Sequence, residues 1–192
     1  MLKRNFMLVD ILAFLVMLTI LPTKDVWAKS ESVLVVSHES ARNAISRRNP
    51  IFRKALIEVA SAMLRAKLAP KGAEEVLPKG SYKPKGQNQM KTWLSAAGKA
   101  HPPLQFLVGL EVVVSVIERS QSQVIEVAIA AASHALPSGG KLGEFRMKKP
   151  KRFPLPANCD RKCVIAEATI AVKLVARVAG TAAAAHIANA RN

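Results

Sequence analysis

The chain is 192 residues long, carries 29 lysines and arginines against 13 acidic residues, has a formal charge of +16 and is half hydrophobic. Such a composition excludes disordered and collagen-like classes and suits one domain with a real core, while two cysteines allow at most one bond and no disulfide framework. The charge excess favours anionic partners and is silent about fold.

In chain order, Lys3 and Arg4 precede ILAFLVMLTIL, Ile11 to Leu21, in which Thr19 is the one polar side chain. This run falls short of the roughly 20 apolar residues that a bilayer core requires. Pro22 ends it, and Val26-Trp27-Ala28 supplies the small-residue positions for cleavage between Ala28 and Lys29. A basic start, a short apolar core and an A-x-A-like end describe a secretory signal peptide. Asp10, at the mouth of the apolar core, favours the rival reading, an uncleaved membrane anchor over residues 6–22. Both send the bulk of the chain across the membrane, because Lys3 and Arg4 hold the start on the inner side. Without residues 1–28, which hold Lys3, Arg4, Lys24, Asp10 and Asp25, 26 basic and 11 acidic residues remain, a charge of +15.

A short apolar run at 33–36 reads as a strand. Over 50–69 the spacing predicts an amphipathic helix, with Asn49 as N-cap and Pro50 in the first turn. Phe52, Ala55, Leu56, Val59, Met63 and Ala66 share one arc, and Lys54, Glu58, Ser61 and Arg65 the opposite one, so the apolar arc is expected to pack into a core. Pro70 and Gly72 stop the helix, and an exposed basic loop follows to Gly86. A short helix over 89–100 carries Trp93 as its anchor. The β-branched cluster Val112-Val113-Val114 favours a strand over 110–117. Ser120 and Gln123 then fit a capping box opening a helix over 121–135, with a single helix from Leu104 to Leu136 as the alternative.

From 139 to 158 the composition turns to glycine, proline and base, which reads as an extended linker. Lys141, Arg146, Lys148, Lys149, Lys151 and Arg152 face one acid there, Glu144, and form the candidate anion-binding site. A second amphipathic helix is expected over 163–179, broken at Gly180-Thr181 before a fraying alanine-rich tail. The expected fold is therefore mainly α, with a helical domain over 29–138, the linker at 139–158 and a helical segment over 159–192.

Catalytic patterns fail one by one. His38-Glu39 begins a helical zinc-protease motif, but Arg42 stands where the second histidine must be, and Gly140-Lys141 lacks the remainder of a phosphate-binding loop. No G-x-S-x-G elbow occurs, and His38, His101, His134 and His186 are scattered along the chain without clustered carboxylates. Cys159 and Cys163 have neither the redox nor the zinc-ribbon spacing; in an oxidising compartment they would close one small disulfide loop, and otherwise they are free thiols. No metal, cofactor or small-molecule substrate is indicated. The expectation is an exported or membrane-tethered basic protein without catalytic function, whose cationic surface binds acidic lipid, polysaccharide or nucleic acid. Its alternatives are an intracellular, RNA-associated structural protein and an open reading frame without a selected biochemical role.

Overall fold

Period-two alternation, rather than the helical repeat, organises the middle of the chain. In the computed structural model, which describes residues 31–38, 50–76, 89–119 and 122–192, strands β3 (Phe106–Arg119) and β4 (Ser122–Ala135) form an antiparallel hairpin. Ile125, Val127, Ile129, Ala131 and Ser133 of β4 are all buried, every second residue, opposite Val116, Val114, Val112, Leu110 and Val108 of β3. The helix expected over 121–135 is thus corrected to a strand. Alanines at 128 and 130–132 speak for helix by propensity alone, but the fourteen-residue pairing with β3 overrides it. Gln123, expected to close a capping box, instead donates from its amide to Glu118 across the hairpin at 3.4 Å. Ser120 lies outside the described residues.

Strand β1 (Ser32–His38) runs parallel to β3 and to β2 (Ala69–Gly72), which lies on its other side. Val33 and Val35 point to one face and Leu34 and Val36 to the other, all buried, as a central parallel strand requires. Helix α1 (Pro50–Arg65) makes the crossover between β1 and β2. It stops at Arg65, short of the expected 69, because Lys67 adopts a left-handed backbone with φ 60°. The Leu68 amide then donates to Met63 and the Lys67 amide to Leu64, a Schellman closure. Residues 73–76 form a single helical turn, α2, and Gln89–Gly98 form α3. The expected loop thus begins with β2 and α2, while residues 77–88 lie outside the described residues.

The expected linker is part of the sheet. β5 (Lys141–Arg146) pairs with the second half of β4 and β6 (Lys151–Pro154) with its first half, giving six strands in the order β2-β1-β3-β4-β5 with β6 also on β4. The prolines and glycines do keep this segment extended, and β4 offers an unpaired edge long enough to take both pieces.

The last element, α4 (Arg161–Arg191), is one helix of 31 residues. Asp160 caps it by accepting from the Cys163 amide at 2.8 Å, and a Cys159–Cys163 disulfide, with Cα atoms 5.3 Å apart, spans the same turn. The expected break at Gly180 does not occur: a Cβ there would lie 2.9 Å from both the Ala62 Cβ and the Val59 Cα, so glycine is what lets α4 approach α1. Both helices cover one face of the sheet in the main core, where Ile51, Val59, Met63, Val172 and Ile187 are fully buried, each contributing about 1.5–3 kcal/mol. Trp93 of α3 and Val76 of α2 cover Leu34, Val36 and Leu107 on the opposite face. The mainly α expectation is thereby replaced by a mixed sheet of six strands with four helices among the described residues. Residues 31–192 form one compact unit; the cleavage position Ala28 and Lys29 lies outside the described residues.

Candidate anion-binding edge

Two short strands laid end to end along β4 bring the six cations of residues 141–152 to one margin of the sheet. Three of them meet carboxylates. Glu144 accepts from the Lys141 ammonium and, at 3.0 Å, from Arg146 Nε. These two hydrogen bonds, Lys141 first, hold the Glu144 carboxyl below its ordinary pKa range. Arg146 also lies 3.7 Å from Glu111, and the register explains how: Glu111 of β3 is opposite Ala130 of β4, which is opposite Arg146 of β5. The small Ala130 side chain lets the arginine reach across a whole strand. In a second row the pairing is direct: Glu126 of β4 stands opposite Arg152 of β6, whose Nε lies 2.6 Å from the Glu126 carboxylate.

Sequence reading found Glu144 as the one acid in this segment and missed Glu111 and Glu126. Each interrupts an apolar strand, which is the only trace it leaves in the sequence; its partner follows from strand register alone. Six cations against three carboxylates leave a local charge of +3. Lys148, Lys149 and Lys151 account for the excess. All three are exposed, without an acidic partner among the described residues, and the Lys151 ammonium lies 5.8 Å from the centre of the Phe153 ring. Lys148 and Lys149 occupy the connection between β5 and β6, where Pro150 follows them. The arrangement can attract phosphate, sulfate or carboxylate groups to a margin whose arginines are already held in place by ion pairs.

The remaining candidates are not brought together with this edge. The Cys159–Cys163 disulfide sits at the start of α4. His134 is buried with Nδ1 3.1 Å from the Gly139 carbonyl, His186 packs its ring on Gly143, and His101 is exposed. Among the described residues no three His, Cys, Asp or Glu side chains gather as a metal site, and no helix is long and apolar enough to cross a membrane.

No family model and no curated protein matches the chain. Among solved structures, it is similar to a Xanthomonas campestris protein of the DUF330 family, at 8% identity over 84% of this chain and 87% of that one, with a TM-score of 0.48. A lipoprotein of Neisseria meningitidis matches at 13% identity over 78% of this chain and 98% of the other, TM-score 0.48. The Chlamydia trachomatis protein CT253 matches at 9% identity over 82% and 95% respectively, TM-score 0.47. These are outline similarities in the arrangement of strands and helices.

Proposed function

We propose that this is an exported, non-catalytic protein that binds an extended polyanion along the β5–β6 edge. The observation that carries the reading is the set Lys148, Lys149 and Lys151, exposed and without acidic partners among the described residues, beside arginines whose charges Glu111, Glu126 and Glu144 already offset. Ion-paired arginines are poor anion traps; three unpaired lysines on a firmly paired edge are better ones. Export is supported by the basic, apolar and small-residue order of the first 28 residues and by the Cys159–Cys163 disulfide, a bond that persists in oxidising compartments. Closely spaced anionic groups on a sulfated polysaccharide or a nucleic acid share the chemistry these lysines recognise, and an exported protein would meet the polysaccharide first.

The test is a salt titration of binding to heparin and to duplex DNA, for the wild type and for the Lys148→Ser/Lys149→Ser/Lys151→Ser variant. Each lysine that neutralises a phosphate contributes about 0.9 to the slope of log affinity against log salt on DNA. The variant is expected to lose roughly two to three slope units if all three lysines engage. Binding to heparin but not DNA assigns the polysaccharide, and unchanged slopes on both refute the edge as the contact site.

A further inference from the structure

The outer surface of the helical layer departs from what a solvent-facing helix pair requires. A surface helix normally turns charged and polar residues outward. Here Ile170, Leu174 and Val178 of α4 are 54%, 47% and 56% exposed, and Ile57 and Leu64 of α1 are 47% and 61% exposed. Positions 170, 174 and 178 follow one another at helical spacing and form a continuous apolar row. Single exposed aliphatics need no explanation, whereas a row of three on α4 with two more on α1 is an apolar surface of the kind that docking sites present.

The charges on the same layer bear on the kind of partner it fits. Arg53, Lys54 and Arg65 are exposed on α1. Of the acids on the two helices, Glu58 is 14% exposed at its side chain and is tied to Arg177 at 3.3 Å, leaving Glu167 as the other. Exposed aliphatics together with an excess of cations on one helical layer match the pattern of helices that lie in the plane of a membrane, aliphatics entering the acyl boundary while bases meet acidic headgroups. A second copy of the same face would set cations against cations, and a nucleic acid would leave the aliphatics in water.

We propose that the outer face of α1 and α4 docks on an anionic lipid surface. This surface is separate from the β5–β6 edge, and the two readings stand or fall independently. The close crossing at Gly180 favours the role, because it holds the two apolar rows in one rigid layer. Docking of this kind needs no membrane-spanning segment: partial burial of the aliphatics supplies the apolar share, and each base near the surface adds to the attraction.

The experiment uses the full chain and vesicles of phosphatidylcholine alone or with 30 mol% phosphatidylglycerol, a composition chosen as roughly that of a strongly acidic leaflet. An Ile170→Ser/Leu174→Ser/Val178→Ser variant is expected to partition onto the acidic vesicles at least tenfold more weakly than wild type, with its heparin affinity unchanged. The lysine-edge variant is expected to keep vesicle binding, which separates this proposal from the previous one. A spin label on Leu174→Cys, placed without reducing the Cys159–Cys163 disulfide, reads the site directly, with Ser95→Cys on α3 as the control. Higher oxygen than nickel-chelate accessibility at 174 but not at 95, in acidic vesicles, supports docking. Equal accessibility at both positions with vesicle-bound protein overturns it. A lipid-free dimer that the triple serine variant abolishes also overturns it, in favour of self-association.

Discussion

Gly180→Ala separates a helix that merely tolerates glycine from one that needs it. In an isolated helix this change stabilises by about 1 kcal/mol, because alanine restricts the unfolded chain and favours helix. In α4 the added Cβ would meet the Ala62 Cβ at 2.9 Å, the Val59 Cα at 2.9 Å and the Val59 carbonyl oxygen at 3.4 Å. Carbon atoms at optimal contact lie about 3.5–4.0 Å apart, so α1 and α4 would have to part by roughly 0.6–1 Å. Two of the three obstacles are backbone atoms and the third is a Cβ, so none can rotate away. Overpacking costs about 1–3 kcal/mol, and these rigid contacts put the cost near the upper end. Subtracting the propensity gain leaves a net loss of about 2 kcal/mol, or roughly 4–8 °C in Tm for a domain of this size. Urea and thermal unfolding measure it, with Thr181→Ala, one residue on and exposed, as a control expected to be neutral or slightly stabilising. Ala62→Gly in the Gly180→Ala background removes one of the contacts and is expected to recover part of the loss. A Gly180→Ala protein more stable than the wild type would refute the close crossing of the helices.

Three further outcomes follow from the same geometry. Gly143→Ala places a Cβ against the His186 ring, closer than any ordinary contact, and is expected to cost about 1–3 kcal/mol, most of it relieved by adding His186→Ala; a double-mutant cycle with no coupling contradicts this contact. Lys67→Gly removes the penalty of about 1–2 kcal/mol for an L-residue in the left-handed region at an entropic cost of about 0.4–1 kcal/mol in the unfolded chain, so unfolding is expected to shift to slightly higher denaturant, and a downward shift argues against the Schellman closure. Glu144, lowered by its hydrogen bonds to Lys141 and Arg146, is expected to support β5 at neutral pH and to lose that support as acidification protonates it below the ordinary carboxylate range. Carboxyl NMR checks its titration, and Glu144→Gln is expected to remove that part of the acid dependence; an ordinary titration curve for Glu144 tells against the pairing.

Legibility varied with how local the governing interaction is. The helix beginning at Pro50 could be read because its amphipathic period and its first-turn proline both lie within one stretch, yet its end at Arg65 was set by the backbone of Lys67 rather than by Pro70. β4 is ambiguous in the sequence because Val124 to Ala135 fits a helical window nearly as well as a strand, and only the β3 register decides between them. The candidate edge was half legible. Its six cations are contiguous in sequence, but which of them remain unpaired depends on Glu111 and Glu126, which lie 35 and 26 residues from their partners Arg146 and Arg152.

By itself, then, the sequence determined composition-level and local matters: a strong positive charge, an apolar stretch near the start, amphipathic helical segments, a cysteine pair close enough to bond, and the absence of any motif that specifies a reaction. Each depends on neighbours along the chain or on sums over it. Tertiary structure decided that the proline- and glycine-rich stretch is two edge strands rather than a linker, that Gly180 joins two helices rather than ending one, and that half of the basic run is already neutralised. Those outcomes rest on contacts between residues far apart in sequence. An extended segment satisfies its backbone hydrogen bonds only if a partner edge is near, a glycine is a close-packing site only if a second helix is there to approach it, and a charge is spent or available according to what stands across the sheet.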